Sequence, residues 1–141
     1  MRALLLVVLV GCTEPEVGAP SRIACNGSDS DPAVAIDFGR DVATGVLAGH
    51  CDRCHTPTGV TPIGLTIGGL DFSSATSLRR GGVQGGTDIV VPGDPCASVL
   101  VQKISAAPPF GARMPLDGPP FLSASQIQVI SDWIAEGATG E

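Results

Sequence analysis

Basic side chains are scarce in this 141-residue chain, and that scarcity excludes whole classes of partner. There is one lysine, Lys103, and Lys and Arg together number 8 against 14 acidic groups, for a formal net charge of −6. No polybasic stripe exists to neutralise phosphates, so nucleic acid is excluded as a partner, and so is electrostatic adhesion to anionic lipid. Docking through a ring of lysines is excluded as well, leaving basic proteins or an apolar contact. Methionine is equally rare, with only Met1 and Met114. Long apolar runs are missing too: the longest, Ala3 to Val10, has eight residues, whereas a bilayer span needs roughly 20. No internal repeat is visible.

What is there begins with that apolar run. It lies behind the single charge of Arg2 and fits the h-region of an export signal. It ends in Leu9-Val10-Gly11-Cys12, which resembles the lipobox of bacterial lipoproteins. That resemblance implies cleavage after residue 11 and a diacylglycerol on Cys12. An ordinary cleaved signal, with Cys12 kept as a plain thiol, is the alternative. Thr13 to Pro32 is rich in Pro, Ser, Gly and acid and reads as a tether. The expected organisation is therefore a signal over 1–11, a lipidated Cys and flexible tether over 12–35, and one domain over 36–141.

Five cysteines are present. Cys51-Asp52-Arg53-Cys54-His55 has the Cys-x-x-Cys-His form of a c-type haem attachment site. Two thiols on one helical turn can each bond a haem vinyl group, and the following His can take the iron. The motif asks for a second axial ligand, and Met114 is the one thioether outside the signal. A thioredoxin-like redox pair is the first rival, but no βαβ pattern surrounds the motif. Half of a zinc site is the second, and no further short-spaced ligand pair follows it. His50 competes with Met114 as a ligand, and a core methionine is the bland account of Met114. Arg53, Arg79, Arg80, Arg113 and Lys103 are candidates for pairing with propionates, or plain solvated charges. Cys25 and Cys96 remain. Export would put them in an oxidising compartment, where they either bridge or stay free.

Helical signals flank the motif. Phe38, Val42 and Val46 recur at four-residue spacing behind Asp37, a capping residue, although Gly45 and Gly49 weaken this helix. Asp94-Pro95 reads as a helix start, with Val99, Leu100 and Ile104 following as one face. Ser123 and Gln126 form a capping box before Ile127, Ile130, Trp133 and Ile134, and Gly137 closes that helix. Between them, 56–92 carries Gly-Gly pairs and apolar islands; Ile89-Val90-Val91 is at most a brief strand, and the rest reads as a long loop packed on haem. Ala106 to Leu122 holds five prolines around Met114.

Taken together, Cys51 to His55, Met114-Pro115 and the terminal Asp132 to Ala138 resemble a single-haem class I-like c-type cytochrome domain of a bacterial lipoprotein, over about Ile36 to Gly137. The resemblance implies an all-α cytochrome c-like fold of about three to four short helices around one covalently bound haem c, with long Gly/Pro-rich loops. It implies that Cys51 and Cys54 bind the haem, that His55 and Met114 ligate the iron, and that Ala43 and Leu47 meet the Ile130/Trp133/Ile134 face. The function it implies is single-electron transfer between redox partner proteins, without catalysis, by a monomer anchored through lipid on the periplasmic side of a membrane. A haem enzyme or gas sensor with a labile sixth ligand is the alternative, and a surface module stabilised by its haem is the third.

Overall fold

A computed structural model describes residues 25–106, 108 and 110–140. Met1, the apolar run and Cys12 lie outside the described residues. The described residues form six helices and a single 3-10 turn, with no strand among them. The all-α class is as expected, but the helices are more numerous than three or four, and four of them are only four to six residues long.

Helix α1 spans Phe38–Leu47. Asp37 caps it, its carboxylate accepting from the Arg40 amide at 2.7 Å. Its turns are widened to i→i+5 bonding, with the Ala48 amide on the Ala43 carbonyl at 2.8 Å and the Thr44 hydroxyl donating to the Gly39 carbonyl at 2.7 Å. A hydroxyl competing for a main-chain carbonyl beside two glycines loosens the ordinary ladder. The apolar stripe survives this: Phe38, Val42, Val46 and Leu47 are all buried.

Helix α6, Ala124–Ala135, packs across α1. Its capping box forms as the sequence predicts, the Ser123 hydroxyl accepting from the Gln126 amide and the Gln126 side chain from the Ser123 amide. Ile130, Trp133 and Ile134 are buried, and the Trp133 and Phe38 rings stand 5.2 Å apart. Gly137 supplies the left-handed residue after the helix (φ 99°). The Trp133 indole N–H then donates to the Thr139 carbonyl at 2.7 Å, satisfying a buried donor. Ala43 sits partly buried against this core.

The middle of the chain is more ordered than its glycines suggest. Helices α2 (Asp52–His55), α3 (Ile63–Thr66) and α4 (Ala75–Arg80) follow one another, then a 3-10 turn at Thr87–Ile89. Helix α4 has a reciprocal Ser74/Ser77 capping box. At Gly81 (φ 77°) a Cβ would land on the Gly86 carbonyl, so only glycine permits this backbone crossing. The strand suggested for Ile89–Val91 does not form. Val90 is extended, but the Val91 amide bonds the Ser98 hydroxyl at 2.9 Å instead of a neighbouring strand.

Helix α5, Val99–Ile104, starts later than Asp94-Pro95 implied. Asp94 caps a separate preceding turn, accepting from the Ala97 amide at 2.9 Å. Buried Ser98 joins that turn to α5.

The segment 25–35, expected as tether, is fastened to the domain. Cys25 is bridged to Cys96. The Ser30 amide and hydroxyl both donate to the Asp132 carboxylate (2.9 and 2.5 Å), and the Ile36 amide donates to Glu136 at 2.9 Å. No helix among the described residues is long and apolar enough to cross a membrane.

Candidate functional site

The Cys-x-x-Cys-His run forms one tight helical turn. Gly49 (φ 81°) ends α1, and the Asp52 carboxylate accepts from the Gly49 amide at 3.0 Å, starting α2. The Cys54 and His55 amides both donate to the Cys51 carbonyl (3.1 and 3.0 Å). This puts both thiols on the same turn, and both are free. Burial pushes the Cys51 thiol up to about 12, with Asp52 adding to the effect, so it is fully protonated at neutral pH. Cys54 lies 3.7 Å from the Thr61 hydroxyl.

His55 is held on three sides. Its Nδ1 lies 3.1 Å from the Leu70 carbonyl. A carbonyl only accepts, so Nδ1 carries the proton and Nε2 keeps its lone pair. Burial lowers the His55 pKa, outweighing the Leu70 bond that would raise it, and the imidazole is neutral. Phe72 stacks on the ring, centroids 4.5 Å apart and planes 18° from parallel, while its amide donates to the His55 carbonyl at 2.8 Å. Gly64 in α3 presses its backbone against the ring; a Cβ there would sit 2.6 Å from both Nδ1 and Nε2. A neutral imidazole with one nitrogen held by a carbonyl and the other free is the form that ligates a metal.

Met114 is partly buried against the core. Its amide donates to the Lys103 carbonyl at the end of α5, at 2.9 Å. Three residues on, Asp117 pairs with Arg53 of the Cys51–His55 turn at 2.7 Å. That ion pair brings the Met114 loop alongside a turn some sixty positions earlier. The other candidates go elsewhere. The His50 ring lies 3.2 Å from the Gln126 side chain, at the start of α6. Arg113 donates to the Ile104 carbonyl at 2.9 Å and lies over the Phe121 ring. Lys103 bonds two loop carbonyls.

One feature of the site escaped the sequence pattern. Large apolar side chains are exposed at Val60 (79 %), Ile63, Ile67 (77 %), Val83 (78 %), Phe110 and Leu116. Ile63 rides on α3, which packs against α2. Val83 is joined to the Ile67–Gly68 turn, its amide on the Gly68 carbonyl at 2.8 Å, and Leu116 precedes the Asp117 that pairs with Arg53. Val60, Ile63 and Ile67 follow the motif in the chain and Phe110 and Leu116 flank Met114, each of them apolar area left to water. By contrast, a cleft of about 410 Å³ along α1, lined by Leu47, Thr56 and Phe72 among others, contains no thiol, imidazole or thioether. Among the described residues no three His, Cys, Asp or Glu side chains are grouped to hold a metal ion by themselves.

The donor set suits an iron porphyrin: two free thiols on one turn, an oriented neutral imidazole, and a thioether loop tied to that turn by the Arg53–Asp117 pair. The chain matches no protein-family model, no curated protein and no solved structure.

Proposed function

We propose that this chain is a single-haem c-type cytochrome that carries one electron at a time. The observation that supports it most is the His55 imidazole, kept neutral by burial and oriented through Nδ1 by the Leu70 carbonyl, on the same turn as two free thiols. Haem c, when bound, supplies an iron centre that gains and loses one electron. Cys51 and Cys54 would hold it through thioether bonds. His55 offers Nε2, and Leu70, Phe72 and Gly64 fix the orientation of its ring. Met114 offers a soft, weak sulfur ligand, which favours the reduced state and raises the potential. The exposed apolar side chains of Val60, Ile63, Ile67, Val83 and Leu116 would lie against the bound group and keep water from it. Cys12 anchors the domain to a membrane through lipid, on the periplasmic side, where basic or apolar faces of redox proteins meet it.

The carrier reading is favoured over a peroxidase-like or gas-binding one by Arg113. It is the charged neighbour of Met114 that such chemistry would recruit, and its guanidinium is engaged with the Ile104 carbonyl and the Phe121 ring. The test is the absorption spectrum of protein co-expressed with a cytochrome c maturation system. A low-spin reduced spectrum, a weak far-red sulfur-to-iron band when oxidised and indifference to carbon monoxide are expected. Met114→Ala should leave haem attached, remove the band and admit carbon monoxide. Haem that extracts in acid solvent would overturn the attachment, and a spectrum unchanged in Met114→Ala would overturn the ligand.

A further inference from the structure

The only lysine of the chain is spent inside the loop that carries Met114. Lys103 lies in the last turn of α5. Its Nζ donates to the Phe110 carbonyl at 2.8 Å and to the Ala112 carbonyl at 2.5 Å, and it sits 4.9 Å from the centre of the Phe110 ring. Its own main-chain carbonyl accepts from the Met114 amide at 2.9 Å. Gly111 adopts φ 56°, the turn that lets carbonyls on either side of it converge on one ammonium. One residue therefore grips the loop twice, through side chain and backbone. The neighbouring Ile104 carbonyl takes the Arg113 guanidinium and adds a third hold.

We infer that Lys103 is a positioning residue that holds the 110–114 loop closed and so fixes the Met114 sulfur. An ammonium has three donors and no acceptor; two carbonyls and an aromatic face use that capacity in a way no neutral side chain of equal length does. A thioether is a weak ligand, so the strength of its bond depends on how much freedom its loop must give up on ligation. A loop ordered beforehand gives up little. The inference rests on the haem reading for its consequence at the iron, but the brace itself is a property of the polypeptide.

The test uses the full protein, matured with haem, and compares Lys103→Leu, which keeps an apolar stem, loses the donors and adds no sulfur, with Lys103→Arg, which keeps a charged donor. The Met114 amide is expected to exchange with solvent roughly 10-fold faster in Lys103→Leu and within roughly 3-fold of wild type in Lys103→Arg. The far-red band should disappear at a lower temperature in Lys103→Leu, with carbon monoxide bound by the reduced protein, and Lys103→Arg should restore both. Gly111→Ala strains the same turn without touching the core, since its Cβ would stand 3.4 Å from Nζ, and should shift both readouts the same way if Lys103→Leu fails to fold. Unchanged exchange and an unchanged band in Lys103→Leu would overturn the brace. A wild-type protein without the band would overturn Met114 ligation instead, while the exchange comparison still decides the brace.

Discussion

Replacing Gly64 by alanine tests the placement of His55 directly, because two effects of opposite sign compete there. Gly64 lies inside α3 with ordinary helical backbone, so propensity alone predicts that alanine stabilises by about 1 kcal/mol. The added Cβ, however, would stand 2.6 Å from Nδ1 and from Nε2 of His55. Carbon contacts settle near 3.5 Å, so the ring must retreat by roughly 1 Å. Phe72 stacks on it and Leu70 bonds Nδ1, so retreat disturbs both. Overpacking of this kind costs about 1–3 kcal/mol, and a weakened hydrogen bond adds about 1 kcal/mol. The net expectation is destabilisation by about 1–3 kcal/mol, read as a lowered midpoint in equilibrium urea unfolding with an unchanged slope.

Gly45→Ala is the matching control. Gly45 is exposed on α1 and its Cβ would meet only the Arg40 carbonyl, at 3.4 Å, so stability should hold or rise by up to about 1 kcal/mol. A Gly64→Ala protein as stable as Gly45→Ala would refute the close approach of α3 to the imidazole. It would also remove the steric account of how the ring is oriented.

Three further outcomes follow from the geometry. Opening the Cys25–Cys96 bridge by Cys25→Ser releases a loop with a sequence separation of 71, and should lower unfolding free energy by roughly 4 kcal/mol on chain-entropy grounds; a loss under about 1 kcal/mol would show that Ser30 and Ile36 alone fasten the segment. In chain made without haem, Cys51 should be alkylated at least ~10-fold more slowly when folded than when denatured, since its thiol titrates at about 12; equal rates by mass spectrometry would contradict its burial. In the same haem-free chain the His55 pKa is lowered by burial, so the unfolded state binds the extra proton first. The His55 contribution is then complete above about pH 6.5 and declines as pH falls toward the folded pKa, by at most ~1.4 kcal/mol per pH unit. Denaturant midpoints across that range check it, and His55→Asn should flatten the slope.

How much of this was legible in the sequence divides along the chain by what each residue packs against. Helix α6 was readable to its caps because Ser123, Gln126 and Gly137 act locally and its apolar face meets another helix. The α1 stripe was readable as well, though not its widened turns, which arise from Thr44 bonding back to Gly39. The start of α5 was misplaced because Asp94-Pro95 is a true capping signal for a different, single turn. Helix α4 was missed because its box uses Ser77 where Glu or Gln is the usual partner of Ser74. The thiols and His55 were legible from spacing alone. The partners that orient His55 were not, since Leu70, Phe72 and Gly64 are an unmarked carbonyl, a lone aromatic and one of 19 glycines.

The apolar islands of the middle segment failed to show helical or strand periodicity for a related reason. Periodicity appears when side chains face a neighbouring element of protein, as in α1 and α6. The buried apolar residues fall within 38–47, 72–104 and 122–138, whereas Val60, Ile63, Ile67, Val83, Phe110 and Leu116 are exposed. Fully covering a side chain of this size stabilises by about 1.5–3 kcal/mol; these six are 45–79 % exposed, so the uncovered share still forgoes a sum within the range of a small domain's stability. On the haem reading that deficit is made good by a flat apolar partner, which follows neither a 3.6-residue nor a 2-residue repeat. The glycines and prolines of these loops then serve to wrap that partner, and the helices α1, α5 and α6 serve to hold the two ends of the wrap, at His55 and at Met114, in place.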